Sequence, residues 1–436
     1  MKKFLSVLGL AVLLACIPVL GFAQYLRNSY FMEGSNARLA LNPALAPARG
    51  YVNLPAIGAF GLEVNSNSLG ASEVMDIMDD GGTFYANDKF MNMLEDENTL
   101  GLKLNTDIVS FGWHTQNAFL SFGVAARANV DASVPKSMFQ YLHDIENETF
   151  TGLKGYTVLN ERMNVNTYTE LSFGYARQVG ERLSIGGKAK VLLGYASVDL
   201  NVKKLDIEAY ILDNHAGNIY PYASIETDVE MALSGKGIEL EHDSNGYIDD
   251  VMLGKFGIGG YGAAIDFGVE YKVTDRMSLY ASVVDLGFIS WGKSSSEIYK
   301  SRNVVQKYEK PETDILDFET LALKDGVKKA RKTQLAPTVT AGGEYGFFND
   351  KLGLGILSVI SFGEYETFSE LMAIATYRPN SLVNVSASYS MLQGTDTFGL
   401  ALKLGPLMVG TDYMFLGNNT KQVNGYFGLS IPLARK

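Results

Sequence analysis

The chain has 436 residues, 47% of them apolar, 11% aromatic and 45 of them glycine, with 48 acidic against 37 basic side chains and a net charge of −11. That acidic balance argues against nucleic acid as a partner. Beyond the N-terminus no stretch reaches about 18 consecutive apolar residues, which excludes a transmembrane helix.

Met1-Lys2-Lys3 opens the chain, followed by an apolar run from Phe4 to Leu20 and then Gly21-Phe22-Ala23. A basic start, a short apolar core and small residues at the end predict a secretory signal peptide, residues 1–23, cut after Ala23. A rival reading takes Leu13-Leu14-Ala15-Cys16 as a lipobox. It would leave the apolar Ile17–Phe22 where a polar linker is usual. Cleavage after Ala23 removes Lys2, Lys3 and the single cysteine, taking the basic count from 37 to 35 against 48 acidic residues, a net of −13. No disulfide or thiolate metal site is then possible.

From residue 51 onward the sequence falls into alternating segments, the period of a β-strand. They cover roughly 51–64, 100–113, 117–130, 163–178, 182–198, 258–273, 276–290, 335–348, 351–364, 367–378, 381–392, 395–404, 406–416 and 421–433. In the sixth, Tyr261, Ala263, Ile265, Phe267, Val269 and Tyr271 alternate with Gly262, Ala264, Asp266, Gly268 and Glu270. In the eleventh, Val383, Val385, Ala387, Tyr389 and Met391 alternate with Asn384, Ser386, Ser388 and Ser390. The polar faces are small and sparsely charged, and aromatics gather at segment ends. Backbone amides in lipid must all be paired, so a membrane protein without apolar helices must close its sheet. The fold class predicted is all-β: a transmembrane antiparallel up-and-down barrel of about fourteen strands.

The connections alternate in length. Tight turns at His114–Asn117, Val179–Arg182, Val273–Arg276, Phe348–Lys351, Arg378–Ser381 and Gly405-Pro406 follow even-numbered strands. The long connections, 65–99, 131–162, 199–257 and 291–334, follow odd-numbered ones. Short periplasmic turns and long extracellular loops are the rule for such barrels, so the chain is expected in the outer membrane of a Gram-negative bacterium with its N- and C-termini periplasmic. Within the loops, 136–148 and part of 71–95 read as short amphipathic helices lying over the mouth. Alternation near 202–212 and 220–234 reads as a hairpin or as strand extensions. The last strand resembles the C-terminal assembly signal of outer-membrane barrels but ends in Ala434-Arg435-Lys436 rather than an aromatic residue.

Parity assigns Arg127, Glu170, Lys188, Lys190, Asp266, Glu270, Glu344 and Lys403 to the lumen. Mixed signs in a narrow barrel favour structural ion pairs over a selectivity filter. A Lys or Arg facing lipid at midplane would cost roughly 2–4 kcal/mol. Glu241–Asp249 has part of an EF-hand spacing, with Asp243, Asn245 and Asp249 as calcium candidates and Gly246 at the turn, but Met252 stands at the twelfth position. The competing reading is a solvated acidic turn. Lys324, Lys328, Lys329, Arg331 and Lys332 could hold glycolipid phosphates at the outer rim, or could be a solvated helix face. Gly257-Ile258-Gly259-Gly260-Tyr261-Gly262 matches G-x-G-x-x-G but opens a strand, so it is read as rim glycines rather than a phosphate site. No cofactor motif and no catalytic constellation is found, and the four histidines, His114, His143, His215 and His242, are scattered.

Residues 34–47, Gly-Ser-Asn-Ala-Arg-Leu-Ala-Leu-Asn42-Pro43-Ala44-Leu-Ala-Pro, place an Asn-Pro-Ala element ahead of this strand pattern. In that position it resembles the FadL fatty-acid transporter superfamily, and more closely the PorV-like barrels of Bacteroidota. The resemblance implies that residues 24–50, with Asn42, Pro43 and Ala44, form a hatch inside the barrel. It also implies passive uptake or binding of a small hydrophobic or amphipathic molecule. The alternative it implies is a scaffold or partner protein of a type IX secretion or other envelope complex. The expected partners are therefore outer-membrane lipids, a hydrophobic ligand or an envelope protein.

Overall fold

The alternating segments pair in chain order, each antiparallel to the next, and the last closes on the first. The computed structural model describes residues 26–54, 59–70, 84–147, 153–213, 219–309, 321–365, 367–392, 396–414 and 421–433. The wall begins with one strand in two pieces, β1 (Tyr51–Asn53) and β2 (Phe60–Ser66), followed by β3 (Glu97–His114), β4 (Phe119–Pro135), β5 (Lys154–Val179) and β6 (Leu183–Asp213). Two strands leave the wall, β7 (Ile219–His242) and β8 (Ile248–Gly257), before it resumes with β9 (Gly260–Thr274) and β10 (Met277–Trp291). Next come β11 (Ser296–Glu309), β12 (Gly326–Lys328) and β13 (Arg331–Gln334). The wall is completed by β14 (Thr338–Phe347), β15 (Leu352–Phe362), β16 (Thr367–Asn380), β17 (Val383–Leu392), β18 (Asp396–Leu404), β19 (Leu407–Thr411) and β20 (Gln422–Pro432). β20 pairs with β19 on one side and with β1 and β2 on the other, closing a fourteen-stranded antiparallel barrel. The six tight turns all lie at one end.

Burial is inverted relative to a soluble sandwich. On β9, Tyr261, Ile265, Phe267, Val269 and Tyr271 are exposed, while Ala264, Asp266 and Gly268 are buried. On β17, Asn384, Ser386, Ser388 and Ser390 are buried and Met391 is exposed. A wall with an apolar outside and a polar inside is built to stand in lipid.

Two wall strands far outgrow the rest, and two more strands pair on to them. β5 and β6 run beyond the end with long connections, where β6 pairs with β7 and β7 with β11. The alternation near 202–212 and 220–234 is thus both an extension of β6 and one arm of a hairpin, and the predicted loop 199–257 is largely strand, while 131–162 and 291–334 are part strand. Two helices form where the sequence placed them, α1 (Asp88–Met93) and α2 (Lys136–Glu146). They do not cover the mouth. Val130 and Ala132 of β4 point away from the lumen, opposite in parity to Arg127, and share an apolar core with Tyr141 and Leu142 of α2, Phe90 of α1, Val202 of β6, Val229 of β7 and Ile248 of β8. The helices and the β7–β8 hairpin therefore form a shoulder packed on the outer face of the strand extensions.

Candidate functional site

Residues 26–50 run inside the barrel. Among the described residues of this segment, only two short 3-10 turns, Arg27–Ser29 and Ala37–Ala40, interrupt an irregular path, and none belongs to a strand. The chain leaves the lumen at the tight-turn end, where Arg49 Nε donates to Ser381 Oγ at 2.9 Å and His114 Nε2 lies 2.8 Å from the Pro47 carbonyl oxygen.

Asn42-Pro43-Ala44 sits in the tight-turn half of the barrel against β6, β9 and β10. Asn42 is fully buried. Its Oδ1 accepts the Ala44 N–H at 2.9 Å, closing a tight turn of the kind Asn favours. Its Nδ2 donates to Tyr30 Oη at 3.0 Å and reaches the carbonyls of Val269 and Ala281, both at 3.3 Å. Two wall glycines make room for this turn. A Cβ on Gly268 would collide with the Asn42 amide, and one on Gly186 with the backbone of Pro43 and Ala44. Tyr30, Phe31, Leu41 and Leu45 then pack against an apolar arc of the wall, Tyr280, Leu357, Val359, Met372 and Ile374.

The first described turn of the segment carries Arg27. Its guanidinium lies 3.2 Å from Glu63, 3.3 Å from Glu370 and 3.9 Å from Asp412, and donates to Tyr413 Oη at 2.6 Å. The backbone N–H groups of Arg27 and Asn28 both donate to the Asp412 carboxylate, at 2.9 and 2.8 Å. Burying so many charges is tolerable only because they are paired and hydrogen-bonded.

Of the charges assigned to the lumen by parity, Arg127, Glu170, Lys190, Asp266, Glu344 and Lys403 are buried, and the eight divide into groups. Arg127 bonds Glu170 at 3.1 Å; Lys190 lies 3.7 Å from Glu170, 2.9 Å from Asp266 and 2.6 Å from Asp285; Lys188 is 3.8 Å from Asp266 and donates to the Leu39 carbonyl at 3.2 Å. These belong to the arc β4–β5–β6–β9–β10. Glu344 stands apart, paired at 2.6 Å with Arg378, which also donates to the Phe31 carbonyl at 2.9 Å. Lys403 donates to the Gly405 carbonyl at 2.6 Å, and Glu270 borders the vestibule at the tight-turn end. Arg27, Glu63, Asp285, Glu370, Arg378 and Asp412 were not singled out in the sequence. Glu63, Glu370 and Arg378 lie on the polar parity of their strands, so the same rule finds them. Arg27 lies in no periodic segment and gives no such signal.

The cavities around the segment are small, about 80 Å³ beside Asp107 and Arg127 and about 50 Å³ beside Glu63 and Asp131, while the vestibule below holds about 670 Å³.

The remaining candidates separate. Asp243 accepts the N–H groups of Asn245 and Tyr247 at 2.9 and 2.7 Å, and Gly246 has φ +84°, so this stretch is the β7–β8 turn. No group of three or more His, Cys, Asp or Glu side chains suited to a metal ion occurs among the described residues. The basic cluster is not one patch. Arg331 turns inward to Ser197 and Asp199, Lys332 lies over the exposed Phe288 ring at 4.7 Å, Lys328 is 3.6 Å from Glu297, Lys324 lies over Tyr247, and the Lys329 N–H bonds the Ser296 carbonyl. The G-x-G-x-x-G glycines pass under Trp291 and against Gly235 and Phe288 as the chain enters β9. His143 links α2 to Asp88 of α1; His215 lies outside the described residues.

The sequence profile of a family of unknown function, DUF5723, matches residues 43–412. No curated protein matches the chain. Among solved structures, the chain is similar to the TodX monoaromatic hydrocarbon channel deltaS2 mutant, at 11% identity and a TM-score of 0.42, over 92% of this chain and 95% of that one. It is also similar to the Pseudomonas putida toluene transporter TodX, at 10% identity and a TM-score of 0.39 over 94% and 93% of the two chains. For a Pseudomonas aeruginosa FadL homologue the values are 10% and 0.32, over 94% and 99%.

Proposed function

This chain belongs to the DUF5723 family, and from that premise we propose that it is an outer-membrane barrel for passive uptake of a small amphipathic molecule, gated by the N-terminal segment 24–50. One observation carries the reading. The described part of that segment fills the lumen without joining the sheet, so it can move without breaking a backbone ladder. The lining it covers is two-sided, with an apolar arc around Leu357, Met372 and Ile374 and a charged arc around Arg127, Glu170 and Lys190. Such a lining suits a molecule with an apolar body and a polar end. The tight-turn end faces the periplasm and the long extensions face outward, as the barrel rule requires.

The test is deletion of residues 24–50. Single-channel conductance and entry of a fluorescent fatty acid into proteoliposomes should both rise while the barrel keeps its heat-modifiable migration. Unchanged flux and unchanged binding would rule gating out.

A second reading is docking of an envelope protein on the projecting sheet, where Val305 and Val327 stand exposed, 55% and 66%, at separate places on β11 and β12. A partner that co-purifies from native membranes should be lost from a Val305→Glu, Val327→Glu double variant. If nothing co-purifies with the unaltered protein, this reading falls.

A further inference from the structure

Where β5 leaves the wall it carries an acid into an apolar core. Glu161 stands just beyond the predicted wall segment 163–178 and is only 4% exposed. Asn160, beside it, takes φ +61°, a left-handed conformation that Asn tolerates. Across this kink the buried face of β5 passes from even to odd positions, from Tyr156 and Val158 to Met163 and Val165. Glu161 is thereby turned to the face that carries the shoulder. It lies opposite Val202 of β6, and Val202 lies opposite Val229 of β7, so the three form one row across the sheet. Both valines belong to the shoulder core.

Every other carboxyl buried among the described residues stands beside a cation: Arg27, Lys190, Arg378 or Lys154. Glu161 has no such partner, and burial alone raises its carboxyl from 4.5 to about 7. The titratable groups that the packed elements bring to this core are Tyr85 ahead of α1, Tyr141, His143 and Asp144 of α2, Tyr156 of β5 and Tyr299 of β11. Asp144 is engaged by Lys154 and Tyr156, and His143 by Asp88. β4, β6, β7 and β8 bring Ala132, Val202, Val229 and Ile248, while Lys203 and Glu230 pair on the opposite face of the sheet. A carboxylate left among apolar side chains without a counter-charge is far costlier than the neutral acid. We propose that Glu161 is a proton-operated latch: protonated, it lets the shoulder seat on the projecting strands, and ionised, it loosens that seat. The folded value lies above the ordinary 4.5, so the stabilisation is complete below 4.5 and is lost as pH rises through about 7. Seating should weaken about tenfold for each pH unit between those two values. The latch stands whether or not the barrel transports anything.

The experiment is electron paramagnetic resonance on the full chain in detergent, with a nitroxide on Gln140→Cys in a Cys16→Ser background. Gln140 is an exposed position of α2. Between about pH 5 and about pH 9 the mobile component should grow several-fold, with its midpoint near 7. Glu161→Gln keeps the shape of the side chain but cannot ionise, and should stay immobile throughout. Glu161→Leu should give the same flat profile, and keeps the test open if the glutamine variant fails to fold. Histidine as a residue type changes charge near neutrality, so His143→Gln is the control and should keep the transition. The proposal is overturned if the unaltered protein shows no transition, if the Glu161 variants retain it, or if His143→Gln abolishes it.

Discussion

At the scale of single residues, Arg27 and Lys190 do the same job in different places. Each is a buried cation among several carboxylates, and removing either leaves those carboxylates without their counter-charge. Breaking such a pair costs about 3–5 kcal/mol. Lys190→Met should therefore lower the denaturant midpoint of the whole barrel in detergent, because its partners Glu170, Asp266 and Asp285 lie on three different wall elements. Arg27→Met should leave the wall intact and free this part of the segment, seen as larger and noisier single-channel conductance. Unchanged conductance in Arg27→Met would mean that this part of the segment is held by its apolar neighbours instead. Lys190 was legible in the sequence because strand parity exposes it. Arg27 was not, because a segment of turns has no period to read.

At the scale of elements, β6 and β9 each carry a glycine where the Asn42 turn presses on the wall. Gly268→Leu should expel that turn, so its expected outcome is raised conductance with normal heat-modifiable migration; unaltered conductance would show that the turn can shift aside. The β7–β8 hairpin is an insertion whose ends touch, since a Cβ on Gly259 would lie 2.7 Å from the Gly235 Cα. Excising 236–258 and joining Gly235 to Gly259 should leave barrel folding unchanged and make α2 more sensitive to protease, because Ile248 leaves the shoulder core. The shoulder is also acid-sensitive. Burial opposes the charge of Asp144, but hydrogen bonds from Lys154 and Tyr156 hold its carboxyl below the ordinary value of 3.8. A depressed value in the folded state means the contribution is complete above 3.8 and is lost as pH falls through the folded value. Limited proteolysis should cut α2 faster in strong acid, and Asp144→Asn should remove that pH dependence. The helices were legible, but their seat was not. Val130, Ala132 and Val158 alternate as lipid-facing residues do, and alternation cannot distinguish cover by lipid from cover by a helix.

At the scale of the whole molecule, the wall was legible because three independent signals agree: period-two alternation, tight turns on one side, and length on the other. The same agreement is missing inside. The lumen is filled by a segment whose position depends on contacts hundreds of residues away, such as Asn28 with Asp412 and Arg378 with Phe31. No local pattern encodes these. The two-sided lining likewise emerges only when strands far apart in sequence are brought to face each other.

Arg27 has one further consequence, for how the protein is made. Its acidic neighbours come from the first wall strand, Glu63, and from the last third of the chain, Glu370 and Asp412. Glu63 and Asp412 flank the seam that β20 closes. The guanidinium thus finds all its counter-charges only when both ends of the polypeptide have arrived and met. It ties the two ends of the wall together: a chain that ends before Asp412 lacks β20 as well, so it forms neither the closed seam nor the full set of charges that answers Arg27.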